Sequence, residues 1–228
     1  MAITLSDLRT RVLDRADMTG SAFAVEARVN EYINNALSEL YDLLVETHED
    51  YFYDVETITL VSGTEDYDLP SDFYKVLKVF YLSSGGVRSP MRRFTLDMLD
   101  RYGNEWVPST ADGVYTMYRV IGDKIRFSPE PAGAGSAELY YIPQFEEMDG
   151  DDTDVTFTLP QIGWIDYAVV DAAMQLLIRE ESDVSALMAR KAEMKDRIKR
   201  AAEQRDAGEP DSIIDYYRLN VESVRGPW

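Results

Sequence analysis

Two side-chain periods divide this chain, and the switch between them limits its fold more than any other feature. From about Ala22 to His48, Val25, Val29, Ile33, Ala36, Leu40 and Leu43 step by three or four, which places them on one face of a long helix. From Asp54 to Leu60 apolar and polar residues alternate instead, which predicts a strand with one buried face. One backbone conformation cannot serve both patterns, so the helical and β parts must be separate stretches of sequence.

Helical spacing is found at both ends. Leu5, Leu8 and Val12 predict a helix over residues 4 to 15, with Thr4 and Asp7 placed to cap its start. Thr19 and Gly20 interrupt it before the long helix begins. After Leu159-Pro160, where proline suits a first helical turn, Ile162, Ile165, Val169, Ala172, Ala173 and Leu176 trace a third apolar stripe reaching about Glu181. Ser182-Asp183 reads as a break and cap, and Leu187, Met194, Ile198, Ala201 and Ala202 support a fourth, more charged helix ending near Gly208 and Pro210.

The middle is β-rich. Tyr118, Val120, Ile125 and Phe127 flank a Gly122-Asp123 turn, as a hairpin requires. Residues 138–142 predict another strand, Ala132 to Ser136 a turn between strands, and Thr95 to Tyr102 a short helix closed by Gly103. The chain is therefore expected to be α+β: a helical platform from residues 1–49 and 160–210, a β-rich insertion over 50–159, and a tail over 211–228. That tail carries Ile213, Ile214, Tyr216, Tyr217, Leu219, Val221 and Trp228, too many large apolar groups for a solvated end, so it is expected to dock, with Arg218 among the contacting residues.

Charge narrows the function. The 228 residues hold 23 Lys+Arg against 42 Asp+Glu, a formal charge of −19, which argues against binding nucleic acid by neutralising phosphates. There is no cysteine, so disulfides, thiolate metal sites and thiol nucleophiles are excluded and a cytosolic or redox-indifferent setting is expected. No apolar run is long enough for a bilayer span or a signal core, and no membrane partner is expected.

The chemical motifs are weak. His48, the sole histidine, sits where the long helix should end, a place for capping and not catalysis. Six carboxylates between Glu146 and Asp154 do not follow the EF-hand spacing and read as a solvated loop. Ser83-Ser84-Gly85-Gly86 lacks the lysine of a phosphate loop. No catalytic residue, cofactor or metal site is expected. Arg190, Lys191, Lys195, Arg197, Lys199 and Arg200 crowd the fourth helix among Glu193 and Asp196. They either pair with acids at helical spacing or bond acidic neighbours across a subunit boundary.

The run Tyr67-Asp68-Leu69-Pro70-Ser71-Asp72-Phe73-Tyr74-Lys75-Val76, followed by Val79-Phe80-Tyr81, reads as a turn before a strand. It resembles a segment of the head-to-tail adaptor proteins of tailed bacteriophages, also called connector or tail tubular proteins. The layout of two helices, a β-rich insertion, two more helices and a protruding tail is similar to that family over most of the chain. The resemblance implies a non-enzymatic virion protein forming a ring, commonly of twelve copies, between the portal protein and the tail nozzle or tube proteins. Viral DNA would pass through the ring without sequence-specific binding, and assembly would take place in the host cytoplasm. The resemblance further implies that the C-terminal extension, here residues 211–228, reaches the portal. A different class, a carbohydrate-binding or carbohydrate-acting protein, would need Trp106, Tyr115 and Tyr118 exposed as stacking platforms. An acidic mimic of DNA would instead bind a basic protein in a salt-sensitive way.

Overall fold

The computed structural model describes residues 3–47, 52–83, 85–98, 117–128, 130–131, 135–151, 154–155, 157 and 162–203, and it is α+β. Helix α1 (Leu5–Arg15) begins where the cap was expected: the Thr4 hydroxyl accepts from the Asp7 amide at 3.2 Å, and Asp7 accepts from the Thr4 amide at 3.4 Å. Leu5, Leu8 and Val12 are its buried face. Helix α2 (Glu26–Thr47) starts four residues later than the sequence suggests. The Ser21 hydroxyl accepts from the Phe23 amide at 3.2 Å, and this local turn competes with helix formation. Val25, expected in the apolar stripe, is consequently 55% exposed, while Val29, Ile33, Ala36, Leu40 and Leu43 are buried as expected.

A 3₁₀ turn (Ile162–Trp164) leads into α3 (Ile165–Arg179), whose buried residues run almost without a gap from Ile165 to Ala173. It lies at the centre of the helical layer, in contact with α1, α2 and α4. The chain breaks where expected: Glu181 adopts a left-handed φ of 63°, and the Asp183 carboxylate accepts from the Ser185 amide and hydroxyl, both at 3.0 Å. Helix α4 (Ser185–Glu203) follows, with Met194 and Ile198 buried against the same core. Leu159, Pro160 and His48 lie outside the described residues.

Among the described residues, seven antiparallel strands form two sheets. In chain order they are β1 (Asp54–Leu60), β2 (Asp66–Asp68), β3 (Phe73–Ser83), β4 (Arg88–Pro90), β5 (Met117–Ile121), β6 (Lys124–Ser128) and β7 (Gly135–Pro143). One sheet is ordered β1-β7-β3-β4 and the other β2-β6-β5. The expected hairpin joins β5 to β6, closing on the Ile121–Lys124 pair with Gly122 at a φ of 63°. After β4, Met91 still donates its amide to Val79, whereas Arg92 and Phe94 bond the Tyr118 backbone. One short segment thus ties both sheets together. Leu96 to Met98 open the expected short helix, with Thr95 Oγ1 accepting from the Met98 amide at 3.3 Å, and the rest of it lies outside the described residues.

One expectation needs correcting here. Gly135 and Ser136 are not in a turn but open β7, opposite Leu60 and Thr59 on one side and Ser83 and Leu82 on the other. Gly135 lies under the Tyr81 ring, where a Cβ would fall 2.7 Å from the phenol oxygen. The glycine answers a close approach within the sheet, not a bend.

Each part has its own core. Ile58, Leu60, Val79, Ile125, Phe127, Ala137 and Leu139 fill the space between the sheets, and the helices pack around Leu8, Val12, Ile33, Leu37, Leu40, Leu44, Val170 and Leu176. Aromatic rings lie where the helical layer meets the strand ends. Tyr41 stacks on Phe52 at 4.8 Å and meets Phe157 edge-on at 5.4 Å, while Phe157 meets Phe145 at 6.0 Å. The Tyr41 hydroxyl donates to the Pro143 carbonyl at 2.7 Å, and burial, followed by the nearby Asp42, pushes its pKa up to about 12.

Candidate functional site

The six cations of α4 separate onto two faces. Lys191, Lys195 and Lys199, four residues apart, lie along the seam with α2. Lys191 reaches Glu39 at 2.7 Å, Lys199 reaches Glu46 at 3.7 Å, and the charge of Lys195 acts on Glu39 between them. The pairing of 39 with 191 and 46 with 199 means that α2 and α4 run side by side in the same direction. Arg190, Arg197 and Arg200 sit on the exposed edge away from that seam. Arg190 pairs with Glu193 at 2.9 Å, one helical turn along, and Arg200 donates to the Asp196 carbonyl at 3.2 Å. Arg197 has no partner among the described residues.

Lys191 anchors a buried polar node. Besides Glu39 it bonds Asp171 of α3 at 2.8 Å, and Asp171 is only 3% exposed. Every carboxylate oxygen is used: Tyr167 donates to the second oxygen of Glu39 at 2.7 Å and Gln175 to the second oxygen of Asp171 at 2.9 Å. Burial opposes charge on Glu39, but the bonds from Lys191 and Tyr167 outweigh it and hold the carboxyl below its ordinary range. Burial likewise opposes charge on Lys191, and the two carboxylates overcome it and raise its pKa. Burial and the bond to Glu39 drive the Tyr167 phenol far above its usual value. These shifts move Glu39, Lys191 and Tyr167 away from neutrality, so the node joins helices and is not poised for proton transfer.

The acidic stretch after β7 keeps its carboxylates in solvent as expected, with Glu146, Glu147, Asp149, Asp151 and Asp154 all exposed, but its backbone is docked on the helices. Met148 is buried, and its amide and carbonyl are both bonded by the Asn34 side chain at 3.0 Å. Arg9, 14% exposed, bonds Asp151 at 2.6 Å, Glu26 at 2.9 Å and Asn30 at 3.0 Å. The Asp151 carboxylate is thus held by α1, and α2 holds the backbone of the stretch at Met148. No group of three or more His, Asp or Glu among the described residues is placed to hold a metal ion.

At the insertion, the proline turn is present: the Phe73 amide donates to the Pro70 carbonyl at 3.0 Å. Asp72 then accepts from the Tyr141 hydroxyl at 3.0 Å, and burial followed by this bond pushes that phenol up to about 12. The Asp72 carboxylate therefore serves a phenol across the sheet. On the outer face of the larger sheet, Arg88 lies 4.1 Å from the Phe80 ring centre and bonds Tyr140 and Glu138. Tyr118 is only 7% exposed, which removes it as a sugar platform, and Trp106 and Tyr115 lie outside the described residues. So do the tail residues Ile213, Ile214, Tyr216, Tyr217, Arg218, Leu219 and Trp228.

The sequence missed the node, although Asp171 inside the apolar run Val169-Val170-Asp171-Ala172-Ala173 was a signal. A carboxylate on a face that must be buried needs a cation. It also missed the separation of lysines from arginines, which the spacing of 191, 195 and 199 contains. The polar groups just described join α1, α2, α3, α4 and the acidic stretch to one another, and they define a structural scaffold. A family model described as SU10 adaptor protein matches residues 3–213, and the chain belongs to that family of structural phage adaptors, which is not a known enzyme family. No curated protein matches the sequence. No helix among the described residues is long and apolar enough to cross a membrane.

Proposed function

We propose that this chain is the head-to-tail adaptor of a tailed phage, a ring of commonly twelve copies seated between the portal protein and the tail nozzle or tube proteins. The observation that carries the reading is the family match over residues 3–213, which takes in both helical ends and the whole insertion. The protein acts by geometry in the virion and breaks no bonds.

The physical chemistry supports the reading. With 42 acids against 23 bases, a lumen lined by even part of the excess repels phosphates, so DNA slides through ungripped. The same excess makes copies repel one another, and ring formation must offset this with buried area and ion pairs between subunits, for which the cations of α4 are candidates. The aromatic stretch Ile213 to Trp228 supplies portal contacts in the manner of buried interface anchors. The helical platform builds the ring, and the insertion faces the tail components.

Density-gradient co-sedimentation of the protein with purified portal rings tests the reading. Comigration at a fixed ratio of copies is expected, with little retention of added double-stranded DNA. Failure to comigrate, or turnover of a substrate by the isolated chain, contradicts it.

A further inference from the structure

We infer that the arginine edge of α4, centred on Arg197, is the surface by which one copy of this chain grips the acidic surface of the next. This rests on the ring reading above and assigns its charged contact. Lys191 and Lys199 are committed to α2 and α3 of their own chain, and the charge of Lys195 acts on Glu39 of α2. The arginines are not. Arg197 is exposed and unpaired among the described residues, while Arg190 and Arg200 make only short-range contacts within their own helix. Arg190 and Arg197 are two turns apart, so their planar forks project from one edge.

The helix surface beside them is small. Ala186 and Ala189 are exposed beside the arginines, which lets another protein surface come close to the helix between them. Alanine also favours helix, which keeps the edge straight and its arginines preorganised.

Charge selects the occupant. Helix α4 holds six cations and three acids, whereas the chain as a whole has nearly twice as many acids as bases. A second copy therefore offers carboxylates in excess over cations, and carboxylates are the groups that arginine binds in two-pronged fashion. The contact joins unlike patches, arginine edge to acidic face, so each copy keeps one free end of each kind. Such a head-to-tail contact generates a ring when the rotation between copies closes. Its strength must fall with salt because the edge is solvent-facing until the neighbour arrives.

The test uses the full chain, the triple variant R190E/R197E/R200E, the single variant R197E and the conservative R197K. Thermal unfolding by circular dichroism checks folding, and melting close to wild type is expected because the substituted groups are exposed. Native mass spectrometry with portal rings then counts bound copies, at low and at saturating ratio. Expected results are full rings for wild type and R197K, and for R197E and the triple variant separate copies that bind the portal normally while contacts between copies weaken by about tenfold or more. Full rings of the triple variant would overturn the proposal and leave the adaptor reading intact. So would loss of portal binding by separate copies, which would transfer the edge to the portal. Wild-type protein that binds no portal would defeat the adaptor reading, and this proposal with it.

Discussion

Lys191 of α4 neutralises Asp171 of α3 at 2.8 Å in the helical core, where Asp171 is 3% exposed. The cation cannot be removed without leaving a buried charge. Lys191→Met is expected to cost about 3–5 kcal/mol, read as a lower urea midpoint. Asp171→Leu in the same chain should recover much of the loss, because the uncompensated carboxylate is then gone. Simple addition of the two effects would contradict the coupling.

The same node sets a pH window. The Glu39 carboxyl is lowered in the folded protein, so its stabilisation is present above the ordinary carboxylate range and is lost as pH falls through the lowered value. Lys191 is raised, so its contribution is complete below the ordinary lysine range and is lost as pH rises through the raised value. Stability from the node should therefore be flat through neutrality and fall at both extremes. In Lys191→Met both limbs should flatten, measured by chemical unfolding across pH.

Gly135→Ala tests the close approach to Tyr81. The new methyl would sit 2.7 Å from the phenol oxygen and 2.8 Å from a ring carbon, so the ring must move. A loss of about 1–3 kcal/mol is expected, in the range for overpacking. Tyr81→Ala should abolish most of that sensitivity in a double-mutant cycle.

Arg9→Met should release the acidic stretch from α1. Hydrogen exchange is the direct measurement: the Ser6 amide, which bonds the Asp151 carbonyl at 3.3 Å, should exchange faster. The Met148 amide, held independently by Asn34 at 3.0 Å, should change less. The stability cost should be about 1–3 kcal/mol, because Arg9 is mostly buried and makes charge-assisted bonds.

Periodicity in the sequence carried the α+β class, the Thr4 cap, the break at Asp183 and the Gly122 hairpin, because each depends on residues close together in the chain. What escaped depends on partners far apart. Val25 satisfied the helical spacing, yet Ser21 captured the Phe23 amide and delayed the helix. Gly135 looked like a turn residue because Tyr81, which explains it, lies on another strand. The docking of the run from Glu146 to Asp154 was hidden because its cation, Arg9, is 142 residues from Asp151. Of the charged helix, the contact with α2 was invisible until Glu39 and Glu46 stood beside Lys191 and Lys199.

Electron microscopy of the purified protein mixed with its portal addresses the central proposal most directly. The account predicts a closed ring coaxial with the portal channel, its lumen open and faced by carboxylates. Portals left bare at saturating protein, or single copies scattered on their sides, would contradict it.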